Sequence, residues 1–254
     1  MGIEIKLGKH AQESATAYHQ LAKKMRKKSE GVEKAIKETR KKITRVEERA
    51  VVKEKKHMHI AQKKEWYESF GWSFTNSKKL ILRGKNAKQN DGIVAKHMDD
   101  GDLFFHCDIR GGAATILKGG IEASDEEKEV AAVISVCFSK AWGKGFSQAD
   151  TYYVKKEQLS KHAAGGFVGA GGFAITGKRV WYRNTPLKLR VGVDEKGAIC
   201  VGAPGANWMK KSVLVVPGKS PKETACKKIA ELLGVDEAEI QSILPAGGIS
   251  VVQK

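Results

Sequence analysis

From Ala11 to Ala50 the small or apolar residues fall at Ala15, Tyr18, Ala22, Met25, Ser29, Val32, Ile36, Thr39, Ile43 and Val46, in alternating steps of three and four. That spacing keeps one stripe on one side of an α-helix and is the heptad seam of a coiled coil. Weaker members at Lys53, His57 and Ile60 extend it, and no proline interrupts it. A helix of roughly 50 residues runs about 75 Å at 1.5 Å per residue. Gly31 is its weak point, because glycine costs about 1 kcal/mol relative to alanine inside a helix. A helical hairpin turning at Ser29, Glu30 and Gly31 is the alternative. In either form the seam needs a covering surface, since a narrow apolar stripe in water stabilises little.

The same segment is strongly basic. Residues 1–64 hold 19 Lys and Arg against 8 Asp and Glu, net +11, whereas the remainder holds 27 against 21, net +6. The total of +17 favours a polyanionic partner, nucleic acid or an anionic membrane surface. Residues 1–10 lack the apolar stretch of a signal peptide, and no run of 18 apolar residues follows, so a cytoplasmic protein without a membrane partner is expected. Cys107, Cys137, Cys200 and Cys226 are widely separated with no C-x-x-C pair, which argues against a zinc ribbon or a thioredoxin-type site. Buried, reduced thiols are expected, with no metal and no cofactor.

Beyond Glu65 tryptophan, phenylalanine, glycine and β-branched residues replace the lysine-rich run. Strands are expected at Lys79 to Leu82, Asp102 to Cys107 and Ala113 to Leu117, with a helix over Asn86 to Met98 and a turn at Gly111 and Gly112. Ser124 and Glu127 spell a capping box ahead of the apolar run Val130 to Phe138, predicting a helix that ends near Lys140. Strand-like stretches follow at Thr151 to Val154, Phe173 to Thr176, Val180 to Tyr182 and Leu187 to Val193. The last sixty residues read as a small α/β lobe: strands at Ala198 to Val201 and Val213 to Val216, then a helix from Ser220 with Pro221 first and Glu223 closing a capping box. A second short helix is expected from Asp236, and an edge strand over Ile249 to Val252. The reading is an α+β protein in three parts, residues 1–64, 65–195 and 196–254, with a mixed sheet in the middle part.

Several motifs recur in a known order. Trp66, Tyr67, Glu68, Ser69, Phe70, Gly71 and Trp72 are followed by Arg83, Gly84, Lys85, Asn86, Ala87, Lys88, Gln89 and Asn90, then by the run Gly101 to Asp108, Gly111 and Lys118. Further on stand Tyr153, Val154, Gln158, Ser160 and Lys161, then Gly172, Phe173, Gly177, Lys178 and Arg179. In order and spacing this resembles NFACT-R, the RNA-binding domain of the nuclear export mediator factor and RqcH proteins, closely over 65–193. The start of the chain, Ile3 to Leu7 with Ala11, Ala15, Tyr18 and Lys23, resembles the family's middle coiled coil. Arg83 stands where the family pattern has glycine, and Asn86 where it has an acidic residue.

The resemblance implies a factor of ribosome-associated quality control that binds obstructed large ribosomal subunits, their rRNA and tRNA, and promotes template-free tail elongation by the ribosome itself. It implies binding without an active site. The alternative is a stand-alone module acting on tRNA or other RNA away from the ribosome. The family's NFACT-N domain and first coiled-coil helix have no counterpart in these 254 residues. The expectation is therefore that a partner protein carrying both covers the seam, with homodimerisation as the fallback.

The candidate RNA contacts gather at several places. Lys85, Asn86, Lys88, Gln89 and Asn90 open a predicted helix, where free backbone N–H groups and the dipole favour phosphate; a solvated basic helix start is the plain alternative. His106 and Asp108 share one strand face before the Gly111 turn. They suit RNA hydrogen bonding or a structural pair better than acid/base catalysis, since no nucleophile or metal cluster accompanies them. Arg110, Lys118, Lys161, Lys178 and Arg179 are candidate phosphate contacts. Tyr152 is a stacking candidate if its ring faces outward, whereas the aromatics from Trp66 to Phe74 suit core packing or a plug better than base stacking. Gly218, Lys219 and Ser220 lack the earlier glycine of a Walker A loop, and Gly169, Gly171 and Ala174 precede a strand rather than a helix, so neither nucleotide motif holds.

Overall fold

The computed structural model describes residues 11–60, 65–109 and 111–252, with side chains in the first helix from Gln12 to Ile43. Helix α1 (Ala11–Ile60) is continuous, so Gly31 lies within it rather than at a hairpin turn. On its seam Tyr18, Met25, Val32, Ile36 and Ile43 are between 44% and 57% exposed, and Leu21 beside them is 49% exposed. Val46 and the weaker seam members to Ile60 lie outside the described side chains. No described helix is long and apolar enough to cross a membrane.

Residues 64–254 form a second compact unit. Strands β1 (Gly71–Phe74) and β2 (Leu80–Arg83) make a hairpin, and α2 (Ala87–His97) leads to β3 (Leu103–Cys107) and β4 (Thr115–Leu117). Helices α3 (Asp125–Cys137) and α4 (Lys140–Gly143) lead to β5 (Gln148–Lys155). Four two-residue strands follow: β6 (Leu159–Ser160), β7 (His162–Ala163), β8 (Gly166–Phe167) and β9 (Ala174–Ile175). Then come β10 (Val180–Pro186), β11 (Leu189–Asp194), β12 (Ile199–Gly202), β13 (Met209–Pro217), α5 (Lys222–Leu233), α6 (Glu237–Ile243) and β14 (Ile249–Val252).

The main sheet has the order β1-β2-β4-β3-β5-β10, and every pairing is antiparallel rather than mixed. The reason is topological. α2 carries the chain from β2 to β3 past one vacant position, α3 does the same from β4 to β5, and the strand that fills each gap runs the other way. Alternation along β3 divides the two faces. Leu103, Phe105 and Cys107 pack on α3 in the main core, while Phe104 packs with Ile93 of α2, Ile116, Tyr152 and Val154 on the opposite face.

The second sheet, β12-β11-β13-β14, is antiparallel with β14 at its edge. Its Val191, Val201 and Val215 share one buried cluster with Ile134 of α3 and Ile229 of α5. The aromatic run packs against this part too. Trp72 and Phe74 sit 6.3 and 5.7 Å from Trp208, so these rings join the two sheets, whereas Trp66 is 51% exposed. The capping box of α3 forms as expected: Ser124 Oγ accepts from Glu127 N at 3.3 Å, and Glu127 Oε2 accepts from Ser124 N at 2.8 Å. The one expected for α5 does not. Pro221 is itself the N-cap, without a side-chain bond, and the Ser220 carbonyl accepts from Ile249 N of β14 at 3.0 Å. The four cysteines are free and buried.

Candidate nucleic-acid groove

At the end of the main sheet, where β2 leaves for α2, a groove of about 1180 Å³ opens. Its walls come from the β2–α2 turn, the Gly111–Ala113 turn, α4, the glycine-rich loop at 168–173, the first residue of α5 and the end of α6. The lining carries Arg83, Lys85, Lys140, Lys144 and Lys222, and among the described residues that line it there is no aspartate or glutamate.

Five of the residues expected from the sequence meet here: Lys85, Asn86, Asn90, His106 and Tyr152. Asn86 caps α2, its Oδ1 accepting from Gln89 N at 2.9 Å. Gln89 closes the turn: its Oε1 accepts from Lys85 N at 3.0 Å, and its Nε2 and Lys85 Nζ both donate to Ser69 O at 3.2 Å. Asn90 is buried, and its amide is already occupied. Oδ1 accepts from Ala114 N at 3.2 Å and Nδ2 donates to Gly171 O at 3.4 Å, so it holds the glycine-rich loop to the sheet. Gly171 has φ +77°, and a Cβ there would lie 2.7 Å from Ala87 Cα, which is why this loop needs glycine to reach the start of α2.

His106 stacks along Phe104, ring centroids 6.2 Å apart, and burial holds its imidazole below the ordinary range. Tyr152 does not face outward. It is 6% exposed, T-shaped against Trp181 at 5.1 Å, and the Arg179 guanidinium lies 4.8 Å from its ring centre. Its position in β5, directly across from His106 of β3, makes it a wall of the groove instead of a free platform. The more exposed ring is Trp66, stacked on His97 at 4.9 Å and 19°.

The remaining candidates lie apart from this lining. Lys118 Nζ donates to Asp102 at 2.5 Å, to Asp99 at 2.7 Å and to His97 O at 2.8 Å. Lys161 Nζ reaches Asp91 at 2.5 Å and Gly172 O at 2.7 Å, and sits 4.3 Å from the Phe173 ring centre. The bond from Lys161 holds the Asp91 carboxyl below its usual range, and Asp91 in turn accepts from Gly171 N, so this pair pins the glycine-rich loop. Lys88, Asp108, Lys178 and Arg179 are exposed, and Arg110 lies outside the described residues.

Sequence reasoning missed Arg83, Lys140, Lys144 and Lys222 as a group. Lys140 and Lys144 stand four apart around a short helix, a spacing that places them on one side. Lys222 carries no local signal, since more than a hundred residues separate it from Arg83.

Residues 65–177 match the family model described as the NFACT protein RNA binding domain. The archaeal Rqc2 homolog aRqcH of Methanocaldococcus jannaschii is 38% identical over 205 residues, 77% of this chain and 30% of that protein. Ribosome quality control complex subunit NEMF of Homo sapiens is 31% identical over 163 residues, 62% of this chain and 15% of that protein. The chain therefore spans less than a third of the length of either relative. The solved C-terminal structure of the fibronectin/fibrinogen-binding protein from Streptococcus suis is 28% identical, with TM-score 0.41, covering 49% of this chain and 47% of that one. On the domain match over residues 65–177 and the likeness to these relatives, the chain belongs to the NFACT-R family.

Proposed function

We propose that the chain binds RNA through the groove at the end of the main sheet and acts in ribosome-associated quality control, engaging large-subunit rRNA and tRNA in the cytoplasm. The observation that carries this reading is the lining: five cations with no carboxylate among the described residues. Such a lining repels basic surfaces and attracts a polyanion, whose phosphates position the ligand without reading its sequence. The likeness to a relative named as a ribosome quality control complex subunit supports placing the RNA on the ribosome. The reading assigns binding and no catalysis, with His106 a wall residue rather than a proton carrier. The seam of α1, with its exposed apolar residues, is covered in this reading by a second long helix. That helix comes from an NFACT-N-bearing partner or from a second copy of the chain.

The test is sedimentation of the purified chain with large ribosomal subunits at rising salt. Co-sedimentation at low salt that is lost at high salt supports the reading, because released counterions make phosphate contacts salt-dependent. Binding to free tRNA without co-sedimentation assigns the chain to RNA away from the ribosome. Failure to bind either RNA overturns the proposal.

A further inference from the structure

Arg83 ends β2 with its side chain across Gly71, its partner on β1. A Cβ at Gly71 would lie 2.5 Å from Arg83 Cγ and Cζ, so the glycine leaves the space that the guanidinium fills. Arg83 is 6% exposed and lies on the Phe138 ring, 3.3 Å from its centre. Among the described residues one of its five N–H donors has an acceptor: a terminal nitrogen donates to Ile243 O at 3.3 Å, and the buried Nε has no partner there. Among the described residues no carboxylate pairs with it.

Lys222 stands beside it, donating to Leu244 O at 2.9 Å. Both cations thus sit on successive carbonyls where α6 ends, and the fractional negative charge of a helix terminus orients them. It does not offset them, since that terminus carries about half a charge against two. Burial pulls the Arg83 guanidinium down to about 9, and burial together with the charge of Arg83 lowers the Lys222 ammonium. A buried cation without a counter-charge is held at a cost, and it is relieved by an anion arriving from the groove that both residues line.

We infer that Arg83 and Lys222 form a discrete oxyanion pocket in the groove that takes one phosphate group of the bound RNA. The inference rests on the RNA reading above and names the one place in the groove built for a single phosphate. A planar guanidinium fork with free donors suits two phosphate oxygens at once, and an adjacent ammonium completes the charge. Lys85, Lys140 and Lys144 are exposed and spaced along the remaining lining, which favours a polymer of phosphates over an isolated carboxylate.

The test compares wild type with Arg83→Met and Lys222→Met, which keep the buried stems, and with Lys85, Lys140 and Lys144 changed together to Gln. Two readouts are used: affinity for a short single-stranded RNA, and the unfolding temperature as inorganic phosphate replaces chloride at fixed ionic strength. Arg83→Met is expected to lower RNA affinity about tenfold, as loss of a charge-assisted contact does, and to reduce the salt slope by about 0.7. It is also expected to rise less than wild type in unfolding temperature with phosphate, while any general effect of phosphate on protein stability is common to both. Lys222→Met is expected to act in the same direction on both readouts. It carries the test alone if Arg83→Met fails to fold. If the triple variant loses RNA while Arg83→Met and Lys222→Met bind it as wild type does, the groove reading stands and the pocket is refuted: both cations then only anchor α6. If no variant changes affinity, the groove reading fails as well.

Discussion

Lys118 is a phosphate contact by its place in the motif and an ion-pair partner by its place in the structure, and replacing it by methionine separates the two. Its ammonium meets Asp102, whose side chain is 3% exposed, and Asp99, whose side chain is 82% exposed. The Asp99 arm is screened by solvent and adds little. The Asp102 arm decides the outcome, because removing one partner of a buried ion pair costs about 3–5 kcal/mol. Asp102 keeps two backbone donors, Asp99 N at 2.7 Å and Gly119 N at 2.8 Å, and the Lys118 side chain is 24% exposed, so the low end applies. About 3 kcal/mol in a unit of this size corresponds to a fall of about 6–12 °C in the unfolding temperature. Thermal unfolding followed by circular dichroism measures it, and RNA affinity is measured below the variant's transition. The expected result is a large loss of stability with affinity unchanged within about twofold. Unaltered unfolding with weakened RNA binding would refute this account of Lys118.

Other expectations follow from His106 and from the helical seam. The folded His106 pKa lies below its unfolded value of about 6.5, so the unfolded chain takes up the proton first. The stability tied to neutral His106 is complete above about pH 6.5 and is lost as pH falls through the folded value; His106→Gln should flatten chemical denaturation midpoints between pH 7 and 5, and a wild type already flat there would contradict the burial argument. Changing Val32, Ile36 and Ile43 together to Asp should abolish association through α1, since unpaired charge at seam positions costs several kcal/mol when buried. Analytical ultracentrifugation checks this, and a wild-type chain that stays monomeric while also capturing no NFACT-N-bearing polypeptide would show that the seam stays uncovered.

The elements were legible wherever a local rule governs them. The three-four spacing located α1, and the Asn86 and Ser124 caps located α2 and α3, because a side-chain oxygen meeting a backbone N–H two or three residues on is a local event. β1 escaped notice because its Gly71–Phe74 run reads as aromatic packing, and its strand character comes from pairing with β2. The two-residue strands β6, β7 and β8 are too brief for periodicity to register, whereas β9 falls within the stretch expected at Phe173 to Thr176. For the site, the motif resemblance located the β2–α2 turn, yet it said nothing about which lysines are already paired. Lys118 and Lys161 spend their charge on aspartates that the fold brings close, while Arg83 and Lys222 come together from opposite ends of the domain and have none among the described residues. That distinction is tertiary.

The groove itself is tested most directly by reversing charge there and elsewhere in equal number. Lys85, Lys140 and Lys144 changed to Glu are compared with Lys196, Lys227 and Lys228 changed to Glu, all six being exposed and the second three lying outside the groove lining. Exposed substitutions of this kind leave stability nearly unaltered, so both variants fold. At one fixed salt concentration the groove variant should lose RNA affinity by at least a hundredfold more than its charge-matched control, because only its side chains lie along the phosphate path. Equal losses in the two variants would mean that RNA responds to net charge alone, and would contradict the groove as its binding site.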